Sequence, residues 1–223
     1  MDPFPEKYRY IIDRLGAPVG GRAIAESEIA PWRGRVPDQY LALIANVGIW
    51  FWYNGDFQLV EPLKYDPILR MVFGDDPDFK PDLCHVIGIS AFGDMLVWSE
   101  EHHVVNIDFH FNSVRALKFF KPETKSDANS SLRISLSSLQ EIPYNAYDDD
   151  GKPLFKRAVK AYGPLSFGEI YALKLHPALG GPMRLENFRR ASALEALAIA
   201  AQAAPFVLKD LMARPPRIVR QLG

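Results

Sequence analysis

The stretch from Cys84 to Lys118 constrains the fold most. It reads CHVIGIS, AFGD, MLVWS, EE, HHVVNIDFHF, NS and VRALK, four short β-rich runs separated by Gly, Asp, Asn and Ser. Val86, Ile87, Ile89, Leu96, Val97, Trp98, Val104, Val105, Ile107 and Phe109 suit a pleated, half-buried surface. Gly93-Asp94 and Asn112-Ser113 stand where tight connections are needed. The pattern predicts a small antiparallel meander on which the rest of the chain packs.

Upstream, residues 6–15 place Tyr8, Ile11, Ile12 and Leu15 on one helical face, with Gly16 just past the end. Residues 16–36 are rich in Gly, Pro and Ala and read as a surface connection with little regular structure. Pro37 opens a helix to about Asn46 that stops before Gly48. Residues 49–60 read as a hairpin: IWFWY, a turn at Asn54-Gly55-Asp56, then FQLV. The consecutive rings from Trp50 to Tyr53 suggest a strand buried on both sides. Asp66-Pro67 starts a short helix ending at Gly74.

Downstream, residues 121–131 (KPETKSDANSS) are the most linker-like in the chain. LRISLSSL suits either a strand or a short helix. From Pro153 the pattern turns helical. Leu154, Phe155, Ala158, Val159 and Tyr162 form one stripe closed by Gly163. Residues 164–183 read as a loop around one ordered piece, FGEIYAL. The three- and four-residue spacing of Phe188, Ala191, Leu194, Leu197, Ala198 and Ala201 predicts a helix over 186–204. Pro205 kinks it or starts another through Leu211, and Pro215-Pro216 ends regular structure. The expected fold class is α+β: a central antiparallel β-sheet meander flanked by helices, with a mostly helical C-terminal module. The expected organisation is an α+β module over 1–120, a linker and acidic loop over 121–150, a helical module over 151–213 and a tail over 214–223.

Composition enters through what it excludes. A chain of 223 residues, 48% hydrophobic, can bury a core without staples, and its single cysteine, Cys84, forbids an internal disulfide framework. No signal peptide is visible, and no apolar run approaches the ~18–20 residues of a membrane span. The expected location is the cytoplasm. The formal net charge of −1 hides a split. Residues 1–150 hold 14 Lys+Arg against 23 Asp+Glu, and residues 151–223 hold 12 against 4. Opposite charges of this size either dock the two parts on each other or steer a partner.

Catalytic signatures are missing: the chain has no GxGxxG after a strand, no P-loop, GxSxG, HExxH or CxxC. One constellation deserves weighing, His102, His103, Asn106, Asp108 and His110. On a strand, residues 106, 108 and 110 share a face and could hold a metal or an acid–base pair. The competing reading is the solvated face of an outer strand. Asp75, Asp76 and Asp78 lack the spacing of a calcium loop. Asp148, Asp149 and Asp150 read as a solvated loop or as contacts to a basic partner. The C-terminal arginines lack any recognised nucleic-acid motif. No cofactor is expected, and direct nucleic-acid or membrane binding is not.

Two sets of residues carry a family resemblance. The first is VPDQYLALIANVGIWFWYNGDFQLVEPLKY followed by IGISAFGDMLVWSEEHHVVNID. The second is LFKRAVKAYGPLSFGEIYALKLHPALGGPMRLENFRRASALEALAIAAQ, of which YGPL, GEIY and LGGP are the most specific parts. Together they resemble the GAD-like immunity proteins of bacterial type VI secretion, of the Tdi type. The FGD turn alone is shared with SMI1/KNR4-like proteins. The resemblance implies a non-enzymatic inhibitor that binds and neutralises a cognate DNase toxin and protects the producing cell. It carries over no catalytic residue, and Gly93, Asp94, Gly180, Gly181 and Pro182 read as turn positions. An acidic lobe steered to a nuclease's basic cleft makes Asp75, Asp76, Asp78, Asp148, Asp149 and Asp150 the expected partner-binding residues. Two other functions stay open: an SMI1/KNR4-like interaction module with a non-toxin partner, and a metal-dependent enzyme using His102, His103, Asp108 and His110.

Overall fold

The structure, a computed structural model, describes Arg9 and residues 19–52, 55–139 and 146–223. Apart from Arg9, the helix expected over 6–15 lies outside the described residues, as do Tyr53 and Asn54 of the expected hairpin.

The meander forms as expected. Strands β4 (Cys84–Ser90), β5 (Met95–Ser99), β6 (His103–Asp108) and β7 (Ser113–Ala116) pair consecutively and antiparallel. It is the middle of a larger sheet. β1 (Val19–Arg22), β2 (Ile49–Trp52) and β3 (Phe57–Leu59) extend it on one side. On the other side, β10 (Val207–Asp210) joins β7 in parallel and β11 (Arg217–Gln221) closes the edge. Two further strands, β8 (Glu169–Leu173) and β9 (Phe188–Ser192), make a separate hairpin.

Both faces of the sheet are covered, which explains the near-continuous apolar runs of β4 and β5. Along β5 and into β6 the side chains alternate. Leu96 and Trp98 join a core with Trp32, Tyr40, Ile44 and Leu132. Met95, Val97, Val105 and Ile107 join the opposite core with Leu69, Val72, Phe73 and Leu197. The first core lies under α2 (Asp38–Val47) and α5 (Ala128–Ser137), and the second under α3 (Asp66–Phe73) and α7 (Ala193–Ala201). A third, smaller core gathers Phe92, Leu154, Ala158, Tyr171, Met183 and Phe188 between the meander, α6 (Phe155–Tyr162) and the β8–β9 hairpin.

Glycine punctuation places the helix ends well. Gly48, Gly74 and Gly163 follow α2, α3 and α6, each with positive φ. Several expectations fail, each for a tertiary reason. The stretch 16–36 contains β1, a one-turn helix α1 (Glu26–Ile29) and a 3₁₀ turn that buries Trp32. The end of the expected linker is α5, because Asp127 caps it by accepting from the Ser130 amide at 3.0 Å. Leu132 and Leu136 then anchor it in the first core.

The C-terminal part is helical only in part. The helix expected over 186–204 is strand β9 up to Ser192 and helix α7 only from Ala193. Phe188 fits the helical spacing but serves the third core from a strand. Where a helix from Pro205 was expected, β10 runs. The residues expected as a tail carry β11, and Leu222 is buried. A short one-turn helix, α4 (Leu117–Phe120), follows β7.

Candidate functional site

The FGD turn joins the meander to the C-terminal part. Phe92 packs against Tyr171 and Phe188, with ring centroids 5.7 and 5.4 Å away. Gly93 has φ +95°, and a Cβ there would sit 2.9 Å from Leu197 Cδ2 and 3.2 Å from Ile170 Cδ1. Only glycine meets both demands. The Tyr171 amide donates to the Ala91 carbonyl at 2.7 Å. Beside it, the buried Gln58 carboxamide donates to the Glu169 carbonyl and accepts from the Gly168 amide, both at 2.8 Å. The LGGP turn is equally constrained, since a Cβ on Gly181 would meet the Leu175 carbonyl oxygen at 1.9 Å. These motif positions are therefore structural, as expected of turns.

Asp94, the last residue of the turn, faces a group of charges inside the fold. One donor atom each from Asp94, Asp108 and His110 lie within 4.8 Å of one another. Burial pushes the Asp94 carboxyl well above the usual carboxylate range, and the Asp108 charge adds to this. Burial likewise lowers His110, against the pull of Asp108. Burial alone raises Asp56 to about 7, and its Oδ1 has no hydrogen-bond partner among the described residues. Arg115 is the nearby cation, yet its buried Nε also lacks a partner.

The strand constellation expected from sequence is thus divided. Asp108 and His110 come together, with Asp94 as a third member that strand spacing could not supply. His102 instead meets the Asp78 carbonyl at 2.8 Å and packs on Phe79 and Phe119. His103 stacks on Trp98, accepts from Lys118 Nζ at 2.6 Å and donates to Ser131 Oγ at 2.9 Å. Asn106 opens instead onto a groove of about 520 Å³ between α5 and the β6–β7–β10 part of the sheet. Its walls include Val104, Ala116, Phe120, Ile134, Leu211 and Met212, with Arg115, Lys118 and Lys209 among them as cations.

The six expected acidic residues do not form one open face. Asp76 is buried and accepts from the Asp78 and Phe79 amides at 3.0 and 3.1 Å. Arg220 donates to both Asp76 oxygens and to Asp78. Asp148 is buried against Arg157 and accepts from the Lys152 amide. Asp149 receives Arg184 Nε at 3.2 Å. Asp75 and Asp150 remain exposed, the latter 3.6 Å from Lys152 Nζ. Much of the charge split between the two parts of the chain is consumed in these internal pairs. No local pattern signals it, since Arg220 and Asp76 are 144 residues apart.

No described helix is long and apolar enough to cross a membrane. The family model for the GAD-like domain matches residues 6–111, and that for the C-terminal part of the type VI secretion immunity protein Tdi1 matches residues 133–203. No curated protein matches the chain. Among solved structures, the crystal structure of Atu4351 from Agrobacterium tumefaciens is similar over 97% of this chain and 98% of its own, with 35% identity and a TM-score of 0.92. The FGD turn belongs to the first matched segment, and the hairpin and helix that hold it belong to the second, so this chain is a member of the GAD-like, Tdi1-type family of type VI secretion immunity proteins.

Proposed function

We propose that the chain binds and neutralises a cognate DNase effector of type VI secretion, as a stoichiometric inhibitor acting in the cytoplasm. The observation that carries this reading is the joined pair of family matches, whose second member is an immunity domain. The FGD and LGGP turns serve the fold, which leaves recognition to the surface. Asp149 is exposed but paired with Arg184, which leaves Asp75 and Asp150 as the exposed acidic residues outside these arginine pairs. They offer long-range attraction to a basic cleft, whereas Asp76, Asp78, Asp148 and Asp149 hold the protein together. Electrostatic steering of this kind acts chiefly on association rate.

Co-expression with the product of the adjacent upstream gene tests the function. The expected result is survival, intact plasmid DNA and co-purification of the two chains. A neighbour that is toxic and unaffected refutes the pairing. Within a confirmed complex, Asp75→Lys with Asp150→Lys is expected to slow association several-fold at low salt, with dissociation little changed. An unchanged association rate removes the acidic residues from the docking face.

A further inference from the structure

We propose that Asp94, Asp108 and His110 form a binding site for one first-row divalent cation, of the Zn²⁺ or Mn²⁺ class. This goes beyond the effector reading and does not depend on it.

The donor set is close already. One imidazole nitrogen and two carboxylate oxygens lie within 4.8 Å of one another, a spread that a small inward shift closes around an ion. A mixed nitrogen and oxygen set suits Zn²⁺ or Mn²⁺ better than the all-oxygen preference of Mg²⁺ or Ca²⁺.

His110 points to a ligand independently of the acids. It is only 7% exposed, yet its ring makes no hydrogen bond to any described residue, and its contacts are with the rings of Phe92 and Phe188. The ring borders a cavity, so a lone pair is open to an incoming ion. His176, the histidine beside it, is differently placed. Its Nδ1 accepts from the Ala178 amide and its Nε2 donates to the Phe109 carbonyl at 2.7 Å. Both His176 nitrogens are satisfied, and the ring fixes the backbone next to His110.

The charge balance agrees. Asp56 adds a third carboxylate to the neighbourhood, with one oxygen unpartnered. Arg115 acts on Asp94 through its charge alone, and its buried Nε has no hydrogen-bond partner among the described residues. A cation would neutralise what Arg115 leaves. Asp108 is already oriented, because its Oδ1 accepts from the His110 and Phe111 amides. His110 also lines a cavity of about 280 Å³ between β8 and α7, which gives a route to its ring. The ion would clamp the FGD turn to the end of β6, at the place where the C-terminal part docks.

The test uses the purified full chain, stripped with chelator and titrated with Zn²⁺, Mn²⁺ and Mg²⁺ by calorimetry, with Co²⁺ absorption as a second readout. The expected result is one equivalent of Zn²⁺ or Mn²⁺ per chain, a higher unfolding temperature on loading, and a Co²⁺ spectrum that includes a nitrogen ligand. His110→Gln and Asp94→Asn are each expected to weaken binding by at least about tenfold, since loss of a mere outer-shell partner costs that much. His102→Gln, away from the site, leaves binding unchanged. Absence of one-to-one binding by the wild-type chain overturns the proposal, and so does binding that survives His110→Gln undiminished. Folding of each variant is checked by circular dichroism. Should both variants fail to fold, the wild-type stoichiometry and Co²⁺ spectrum alone decide the matter.

Discussion

Replacing Asp76 with alanine should cost folding stability. Its carboxylate is 1% exposed and accepts from two backbone amides and from Arg220, whose side chain is 31% exposed. Breaking a buried ion pair costs about 3–5 kcal/mol. Here the lower end applies, because Arg220 keeps Asp78 at 2.7 Å and stays partly in water. The expected loss is therefore about 3 kcal/mol. For a chain of this length that lowers the unfolding temperature by about 6–12 °C. Arg220→Met should cost a similar amount. The double variant should cost less than the sum, because each single change already removes the shared interaction.

The pH dependence follows from the same contacts. Burial pushes the Asp76 carboxyl up, but Arg220 and the Asp78 and Phe79 amides together hold it below the usual range. A folded value below the unfolded one, about 3.9, means the contribution is complete above that pH. It is lost as pH falls through the depressed folded value. Chemical denaturation at neutral pH and in acid, monitored by tryptophan fluorescence, measures both effects. An unfolding free energy for Asp76→Ala within about 0.5 kcal/mol of the parent's would refute the reasoning. So would a loss of effector affinity with no change in that free energy.

Three further outcomes are expected. Gln58→Leu strands the Glu169 carbonyl and the Gly168 amide, at about 1–3 kcal/mol for each buried group, and should raise hydrogen exchange at Gly168 ahead of the meander. Gly93→Ala forces a side chain into positive φ and against Leu197, and should destabilise by about 1–3 kcal/mol; Leu197→Ala in the same chain should recover only the steric share. Cys84 is 2% exposed and burial pushes its thiol up to about 12, so a thiol-reactive reagent should label it only at the rate of unfolding.

The meander, the β2–β3 hairpin and the glycine-stopped helices were legible because their signals are local. A strand's alternation and a helix's end are written within a dozen residues, and Cys84–Lys118 carries four such signals in a row. The FGD and LGGP turns were legible as structural for the same reason. Two of the three residues of the candidate cation site were also visible, since Asp108 and His110 lie two apart, the spacing of one strand face. Asp94 was not, because it comes to them only by strand pairing: Met95 stands opposite Ile107 in the register. The acidic residues were seen as charges, but nothing local marks Arg157, Arg184 and Arg220 as their partners.

By itself the sequence determined a mixed fold around an antiparallel meander, a chain whose single cysteine allows no internal disulfide, and the resemblance to an immunity family. Tertiary structure alone decided where the C-terminal residues go. The apolar residues from Phe188 to Ala201 satisfy helical spacing, yet β8 offers open hydrogen-bonding groups that Phe188–Ser192 complete as a strand. The segment after Pro205 has too little periodicity to choose a conformation, and the free edge of β7 chooses for it. Pairing between distant strands is set by which edge is exposed and which face must be buried, and neither is written in any local window of the chain.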